Sequence, residues 1–159
     1  MEKVLIAIDD SDGAMKAVNF AARHLTGSPE TRLTLLHVLP QLPTMFWDDG
    51  HILTGFEATT REEEIKRWET EQKRRMAPVV KAARNLLLEN GLPADHLDTL
   101  EITDVAEVAE SILAAARHGN YQTIILGRRG QSGLSKFLMG SVSNKIVAHG
   151  TGMTICVAE

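Results

Sequence analysis

Short apolar segments alternate with longer amphipathic ones along the 159 residues, and this alternation constrains the fold more than any other feature. The first segment, residues 4–8, is a continuous apolar run, and the second, residues 33–38, is interrupted only by Thr34 and His37. Segments of this kind are typical of strands buried on both faces. Further strands are predicted at residues 97–102, 121–126 and 153–158. Strands that alternate with helices are connected most simply as a parallel sheet with helices on both faces. The sequence therefore predicts a single doubly wound α/β domain.

Residues at the ends of the amphipathic segments indicate where the helices begin. Ser11 precedes the first of them and is a predicted N-cap. A third helix is predicted to begin at Thr103 and Asp104, and a fourth to span residues 141–148. Each of these helices connects two predicted strands, as right-handed crossovers require.

The second helix follows the least regular part of the sequence. Residues 41–59 contain proline, glycine and three aromatic residues without a clear period, and so long a connection is expected to be functional or mobile. Thr60 and Glu63 have the spacing of a capping box, so the helix is predicted from there to about Asn90. Pro78 lies inside this range and is expected to bend or split the helix.

Composition excludes several classes of protein. The chain has 17 Lys and Arg against 21 Asp and Glu, and this net charge of −4 argues against nucleic-acid and membrane-surface binding. No apolar run approaches the roughly 18 residues that a membrane span needs. Residues 1–8 are too few and too acidic for a signal peptide, and Cys156 is the only cysteine, so an internal disulfide is excluded. We therefore expect a cytoplasmic protein.

Patterns of catalytic and metal-binding residues are not found in the sequence. The six histidines show no i, i+4 pair and no recognised ligand spacing, so no metal site built from side chains is predicted. The nucleophile motif G-x-S-x-G and the phosphate-binding motif G-x-x-x-x-G-K-[ST] do not occur. No residue stands out as a general base, and no catalytic residue is predicted.

A phosphate site is predicted where the fourth helix begins. The first backbone N–H groups of a helix lack internal partners, and the helix dipole makes that end partly positive. Gly140 would let an anion approach the backbone closely, and the hydroxyl groups of Ser141 and Ser143 could donate two more hydrogen bonds. Lys136 and Lys145 lie near enough in sequence to reduce the charge of a bound phosphate. The spacing alone is equally compatible with a glycine-rich turn that only joins a strand to a helix.

Two strand ends carry residues that suit a nucleotide. Parallel sheets bind ligands outside the carboxyl ends of their strands. Asp9 follows the first strand, and a carboxylate there can accept hydrogen bonds from ribose hydroxyls. Gly127 and Gly130 follow the fourth strand and allow a tight turn close to a sugar or phosphate.

The glycine spacing resembles a known signature. Gly127, Gly130, Gly140 and Ser141 match G-x2-G-x9-G-[ST], which resembles the ATP-binding signature of the universal stress protein family. The segments VLIAIDDS, LTLLHV and IILGRRGQSGLSKFLMGSVSNKIV are also similar to that family, so the resemblance extends over residues 3–157.

This resemblance implies a Rossmann-like sheet of five parallel strands in the order 3-2-1-4-5 that binds ATP, ADP or AMP. It implies that Asp9 holds the ribose with help from the backbone at Gly127, and that Ala7 and Val38 border the adenine. The implied phosphate site consists of Gly130, Gly140, Ser141, Val142 and Ser143. A divalent ion, Mg²⁺ or Mn²⁺, would be held by the phosphates rather than by side chains, and homodimers would form through the last strand.

The function implied is that of a nucleotide-dependent regulator of the stress response. A slow ATP hydrolase or phosphotransferase that uses the same pocket remains an alternative, as does a dimeric interaction module that binds no nucleotide. The lack of an evident general base favours binding over turnover. Asp10 departs from the family pattern, which has glycine at that position.

Overall fold

Five parallel strands, four α-helices and a short 3₁₀-helix (Ala94–His96) are found in the described part of the computed structural model, which comprises residues 2–40, 55–105, 107–130 and 139–159. The strands are β1 (Glu2–Ala7), β2 (Thr31–Pro40), β3 (Leu97–Val105), β4 (Thr123–Gly127) and β5 (Thr154–Ala158). The helices are α1 (Asp12–His24), α2 (Gly55–Glu89), α3 (Val108–His118) and α4 (Ser141–His149). Within these residues, no helix is both long and apolar enough to cross a membrane.

The sheet has the order β3-β2-β1-β4-β5, and every neighbouring pair is parallel. This confirms the predicted fold class. Ala7, at the end of β1, lies between Leu36 of β2 and Leu126 of β4. The chain leaves β1 toward β2 on one side and reaches β4 on the other, so a crevice opens where these strands end.

Helices cover both faces of the sheet, which explains the apolar runs. In β1, Ile6 packs in the cluster with α1 and α2, whereas Leu5 packs in the cluster with α3 and α4. Ile125 and Ile124 of β4 divide between the two clusters in the same way. Successive side chains of a strand point to opposite faces, so a strand covered on both sides is apolar at most of its positions.

The start of α1 packs closely against the end of β4. Ser11 is the N-cap of α1, as predicted, and its hydroxyl oxygen accepts a hydrogen bond from the Ala14 N–H at 3.3 Å. A Cβ atom on Gly13 would lie 2.1 Å from the Arg129 carbonyl oxygen, and one on Gly127 would lie 2.3 Å from the Gly13 carbonyl carbon. Only glycine permits this approach of two backbones, which holds the end of β1 beside the end of β4.

The predicted start of the long helix is wrong. Helix α2 begins at Gly55, so Thr60 lies inside the helix and is not a cap. Pro78 lies within α2 without splitting it. Pro78 and Arg74 are both exposed, so water can bind the Arg74 carbonyl that loses its partner. Residues 41–54 of the predicted long loop lie outside the described residues.

The predicted start of the third helix is wrong as well. Thr103 and Asp104 belong to β3, which continues to Val105, and α3 begins at Val108. In the part of the chain that the structure describes, strand β3 pairs only with β2 and is an edge of the sheet. An edge strand tolerates polar residues, which is why its length was underestimated from its apolar pattern.

Candidate functional site

A cavity of about 290 Å³ lies in the crevice beyond the ends of β1 and β4. Its wall contains all nine residues that were predicted to contact a nucleotide, namely Ala7, Asp9, Val38, Gly127, Gly130, Gly140, Ser141, Val142 and Ser143. The wall also contains Ile8, Ala14, Leu36, Val108, Ile112, Leu126 and Arg129, which were not predicted. The structure therefore brings the predicted residues together in space, and their contacts with a ligand stay a prediction.

The wall of this cavity has an apolar part and a polar part. Leu36 and Val38 of β2 and Val108 and Ile112 of α3 form the apolar part. The polar part is the start of α4, which follows β4 on the other side of β1. Leu36 and Val38 alternate along β2, and Val108 and Ile112 belong to the apolar stripe of α3, so the sequence predicts which side chains share a face. It does not show that they border a cavity.

The start of α4 presents backbone N–H groups without helical partners. Gly140 is the N-cap and forms no side-chain cap. Its own N–H donates to the Arg128 carbonyl at 2.9 Å, and the first helical bond runs from the Asn144 N–H to the Gly140 carbonyl at 2.9 Å. The N–H groups of residues 141–143 precede that first bond. In α1, by contrast, the Ser11 hydroxyl caps the helix by accepting a hydrogen bond from the Ala14 N–H.

Ser143 differs from the expectation for its side chain. Its hydroxyl donates to the Gly127 carbonyl at 2.8 Å, and the residue is buried. This hydrogen bond connects α4 to the end of β4, so the hydroxyl proton is not available to a ligand. The Ser143 backbone N–H and the exposed Ser141 side chain are the groups of these two residues that suit a ligand.

Asp9 is held in place at the edge of the cavity. One carboxylate oxygen accepts hydrogen bonds from the Ser11 N–H, at 3.1 Å, and from the Ser11 hydroxyl. The other oxygen faces Gly130, where a Cβ atom would lie only 2.5 Å away. Asp10, beside it, forms an ion pair with Arg75 of α2. A carboxylate fixed in this way can accept hydrogen bonds from ligand hydroxyls without first being ordered.

The glycines of the motif meet different constraints. A Cβ atom on Gly140 would make only ordinary contacts, the nearest at 3.4 Å to the Arg128 carbonyl oxygen. The backbone angles of Gly140, φ −60° and ψ 153°, suit any residue. The fold therefore requires glycine at position 127 but does not require it at position 140.

Basic residues near the cavity are arranged differently from the sequence expectation. Lys145, which was expected to reduce the charge of a phosphate, forms an ion pair with Glu107 at the start of α3. The hydrogen bond from Lys145 lowers the pKa of the Glu107 carboxyl. Arg129 lies in the cavity wall instead. Lys136, the other expected cation, lies outside the described residues.

The described residues contain no cluster of side chains suited to a metal ion. Among them, no three His, Cys, Asp or Glu side chains lie close enough together to hold one. Burial raises the pKa of the Cys156 thiol, the property of a packing residue rather than of a reactive one.

His37, a titratable residue, lies on the face of the sheet opposite this cavity. His37 of β2 is buried, and its Nε2 lies 3.1 Å from a carboxylate oxygen of Glu101 on β3. The other Glu101 oxygen lies 3.1 Å from the Lys73 Nζ on α2. Burial lowers the pKa of His37, although the Glu101 charge acts in the opposite direction. His37 is therefore neutral at pH 7.

The burial of His37 predicts that stability decreases in mild acid. Above its ordinary pKa of about 6.5 the imidazole is neutral in the folded and unfolded chains alike. As the pH falls below 6.5, the unfolded chain takes up a proton that the folded chain resists, so the free energy of unfolding decreases, by at most about 1.4 kcal/mol per pH unit. Urea unfolding between pH 7.5 and 5.5 measures this slope. The His37→Gln variant should have a shallower slope, and equal slopes would contradict the prediction.

This chain is similar to known proteins in sequence and in structure. The family model described as the Universal stress protein family matches residues 1–158. Universal stress protein YxiE of Bacillus subtilis (strain 168) is 32% identical over 144 residues, which cover 91% of this chain and 90% of that protein.

Solved structures with the same fold include proteins with bound nucleotides. A universal stress protein in complex with cAMP superposes with a TM-score of 0.66 at 12% identity, and the match covers 99% of this chain and 97% of that one. The Arabidopsis thaliana family protein At3g01520 with AMP bound has a TM-score of 0.63 at 14% identity, with 99% and 91% covered. The match to the family model and the identity to YxiE establish that this chain belongs to the universal stress protein family.

Proposed function

We propose that this protein binds an adenine nucleotide in the cavity at the ends of β1 and β4 and acts as a nucleotide-dependent regulator in the cytoplasm. The observation that carries the proposal is the start of α4, where three backbone N–H groups precede the first helical bond and no side chain caps them. Two related folds, solved with cAMP and with AMP, support an adenine nucleotide as the ligand.

The phosphates would occupy the start of α4. The N–H groups of residues 141–143 can donate hydrogen bonds to phosphate oxygens, and the helix dipole adds a favourable charge. Arg129 in the same wall can balance part of the remaining charge. A divalent ion, Mg²⁺ or Mn²⁺, would be bound by the phosphate oxygens.

The nucleoside would occupy the rest of the cavity. Asp9 would accept hydrogen bonds from the ribose hydroxyls, and Gly130 leaves room beside its carboxylate. The adenine would lie between Ala7 and Val38 on one side and the α3 side chains Val108 and Ile112 on the other. These apolar groups suit a flat aromatic base, because burying apolar surface favours binding without requiring hydrogen bonds.

Calorimetric titration tests the proposal directly. Wild-type protein should release heat with ATP, ADP or AMP at millimolar concentration, and the absence of heat with all three would overturn the assignment. Phosphate release from ATP should stay below about one turnover per minute, because no residue stands out in the sequence as a general base that would activate water. Faster release would favour the hydrolase alternative.

Asp9→Ala should weaken AMP binding at least about tenfold, because it removes the acceptor for the ribose hydroxyls. The comparison is Asp12→Ala, which removes an exposed carboxylate of the same charge from the first turn of α1. Asp12→Ala should change the affinity less than about twofold, since exposed charges are screened by solvent. Calorimetry measures both, and circular dichroism should show native spectra. Equal affinities for the two variants would show that Asp9 does not contact the nucleotide.

We also propose that two copies of the chain form a homodimer through β5. Strand β5 pairs only with β4, so its other edge is available for pairing in the described structure. Sedimentation should then give twice the chain mass of 17.5 kDa. Sedimentation as a monomer at micromolar concentration would contradict the dimer and leave the nucleotide site unaffected.

A further inference from the structure

A second cavity, of about 530 Å³, lies between α2 and the β2–β3 side of the sheet. We refer to it as the α2 groove. His37, Glu101 and Thr99 line it from the sheet. From α2 it is lined by the apolar residues Met76, Ala77 and Val80 and by the polar residues Lys73, Lys81, Arg84 and Asn85. It lies on the opposite face from the nucleotide cavity, which is bordered by α3 and α4.

His37 lines the α2 groove and has a buried, unsatisfied hydrogen-bond acceptor. Its side chain is only 7% exposed, and its Nε2 is occupied by Glu101. Because the carboxylate accepts the Nε2 proton, the neutral ring carries a lone pair on Nδ1. This Nδ1 atom is buried and has no hydrogen-bond partner within the described residues. Such atoms are rare in folded proteins, because each one costs the free energy of its lost hydration. A ligand hydroxyl would satisfy it.

The charges of the α2 groove favour an anion with two separated negative groups. The lining contains three basic side chains and one carboxylate, a net charge of two positive. The Arg84 guanidinium donates to the Thr99 hydroxyl at 3.1 Å, and the Lys73 ammonium lies 3.1 Å from Glu101. Thr99 and Glu101 are two residues apart on β3, about 7 Å along the strand, so Lys73 and Arg84 contact two different positions on the same face of the sheet. Lys81 lies between them along the same face of α2.

We propose that the α2 groove is a second binding site, which takes a small dicarboxylate that carries a hydroxyl group. The carboxylates pair with Lys81 and Arg84, and the hydroxyl donates to His37 Nδ1. The aliphatic part of the ligand lies on Met76 and Val80. The exposed side chains of Lys73 and Lys81 have flexible stems, so the ligand reaches His37 by displacing side chains and not the backbone.

L-Malate and succinate provide a matched pair of probes. They have the same carbon chain and the same two carboxylates, and they differ only in the hydroxyl. Calorimetry at pH 7.5 and low salt should show that malate binds about tenfold more tightly than succinate, because one hydrogen bond to a buried acceptor separates them. In protein with ¹⁵N-labelled histidine, the Nδ1 resonance of His37 should shift with malate. Absence of heat with malate at about 10 mM, or equal affinity for both acids, would overturn the proposal.

Variants of α2 locate the binding. Arg84→Gln and Lys81→Gln should each weaken malate binding at least about fivefold, since each removes a cation from the groove. Lys66→Gln removes an exposed cation from the same helix outside the groove and should leave the affinity unchanged. An equal loss with all three variants would indicate non-specific attraction and overturn the site. Malate binding should persist in Gly140→Asp, so the failure of either site is distinguishable from the failure of the other.

Discussion

Gly140→Asp should abolish nucleotide binding, with a loss of at least about 100-fold in affinity, while the protein stays as stable as the wild type. Aspartate is among the preferred N-cap residues, because its carboxylate accepts from the N–H groups of the first turn. In this variant the carboxylate would therefore occupy the N–H groups of residues 142–143 and repel a phosphate. Position 140 tolerates a side chain, since its backbone angles are ordinary and its nearest Cβ contact is 3.4 Å.

Two other substitutions at this position separate the causes. Gly140→Asn supplies a neutral cap, so it should block the N–H groups without repelling phosphate and should give an intermediate affinity. Gly140→Ala supplies no cap and should reduce the affinity least. Calorimetry with ATP measures the affinities, and thermal unfolding checks stability. A Gly140→Asp variant that binds ATP as wild type does would show that the start of α4 is not the phosphate site.

Gly127→Ala should prevent stable folding or reduce the free energy of unfolding by about 3 kcal/mol or more. The added Cβ atom would lie 2.3 Å from the Gly13 carbonyl carbon and 2.4 Å from its oxygen. Both are backbone atoms in the first turn of α1, so the clash is relieved only if the helix moves away from β4. That movement would open the core cluster that contains Val18 and Ile125. Urea unfolding measures the loss.

Gly27→Ala is the matched control for this substitution. A Cβ atom at Gly27 would meet nothing within 4 Å, so the same chemical change should alter the free energy of unfolding by less than about 0.5 kcal/mol. If the two alanine variants were equally stable, the close packing of α1 on β4 would not be what confines position 127 to glycine.

Elements whose pattern is local were predicted well from sequence. The apolar runs of β1 and β2 predicted strands covered on both faces, and Ser11 marked the start of α1. Elements whose ends depend on distant contacts were predicted less well. Strand β3 continues to Val105 because Val105 pairs with Pro40 of β2, past a shift in register after Ile102. Pairing of this kind is settled between segments far apart in the chain.

The amino-acid sequence by itself determined the order of strands and helices and the glycine motif, because these depend on residue type and spacing. The nine predicted site residues came partly from the family resemblance, and their contacts with a ligand stay a prediction. Only the tertiary structure decided which groups are available at that site. It assigned the Ser143 hydroxyl to the Gly127 carbonyl and Lys145 to Glu107, and it added Arg129 to the cavity wall. It also placed His37 beneath α2 with an unsatisfied nitrogen. The physical reason is that hydrogen bonds, ion pairs and burial join residues far apart in sequence, and spacing along the chain does not encode those distances.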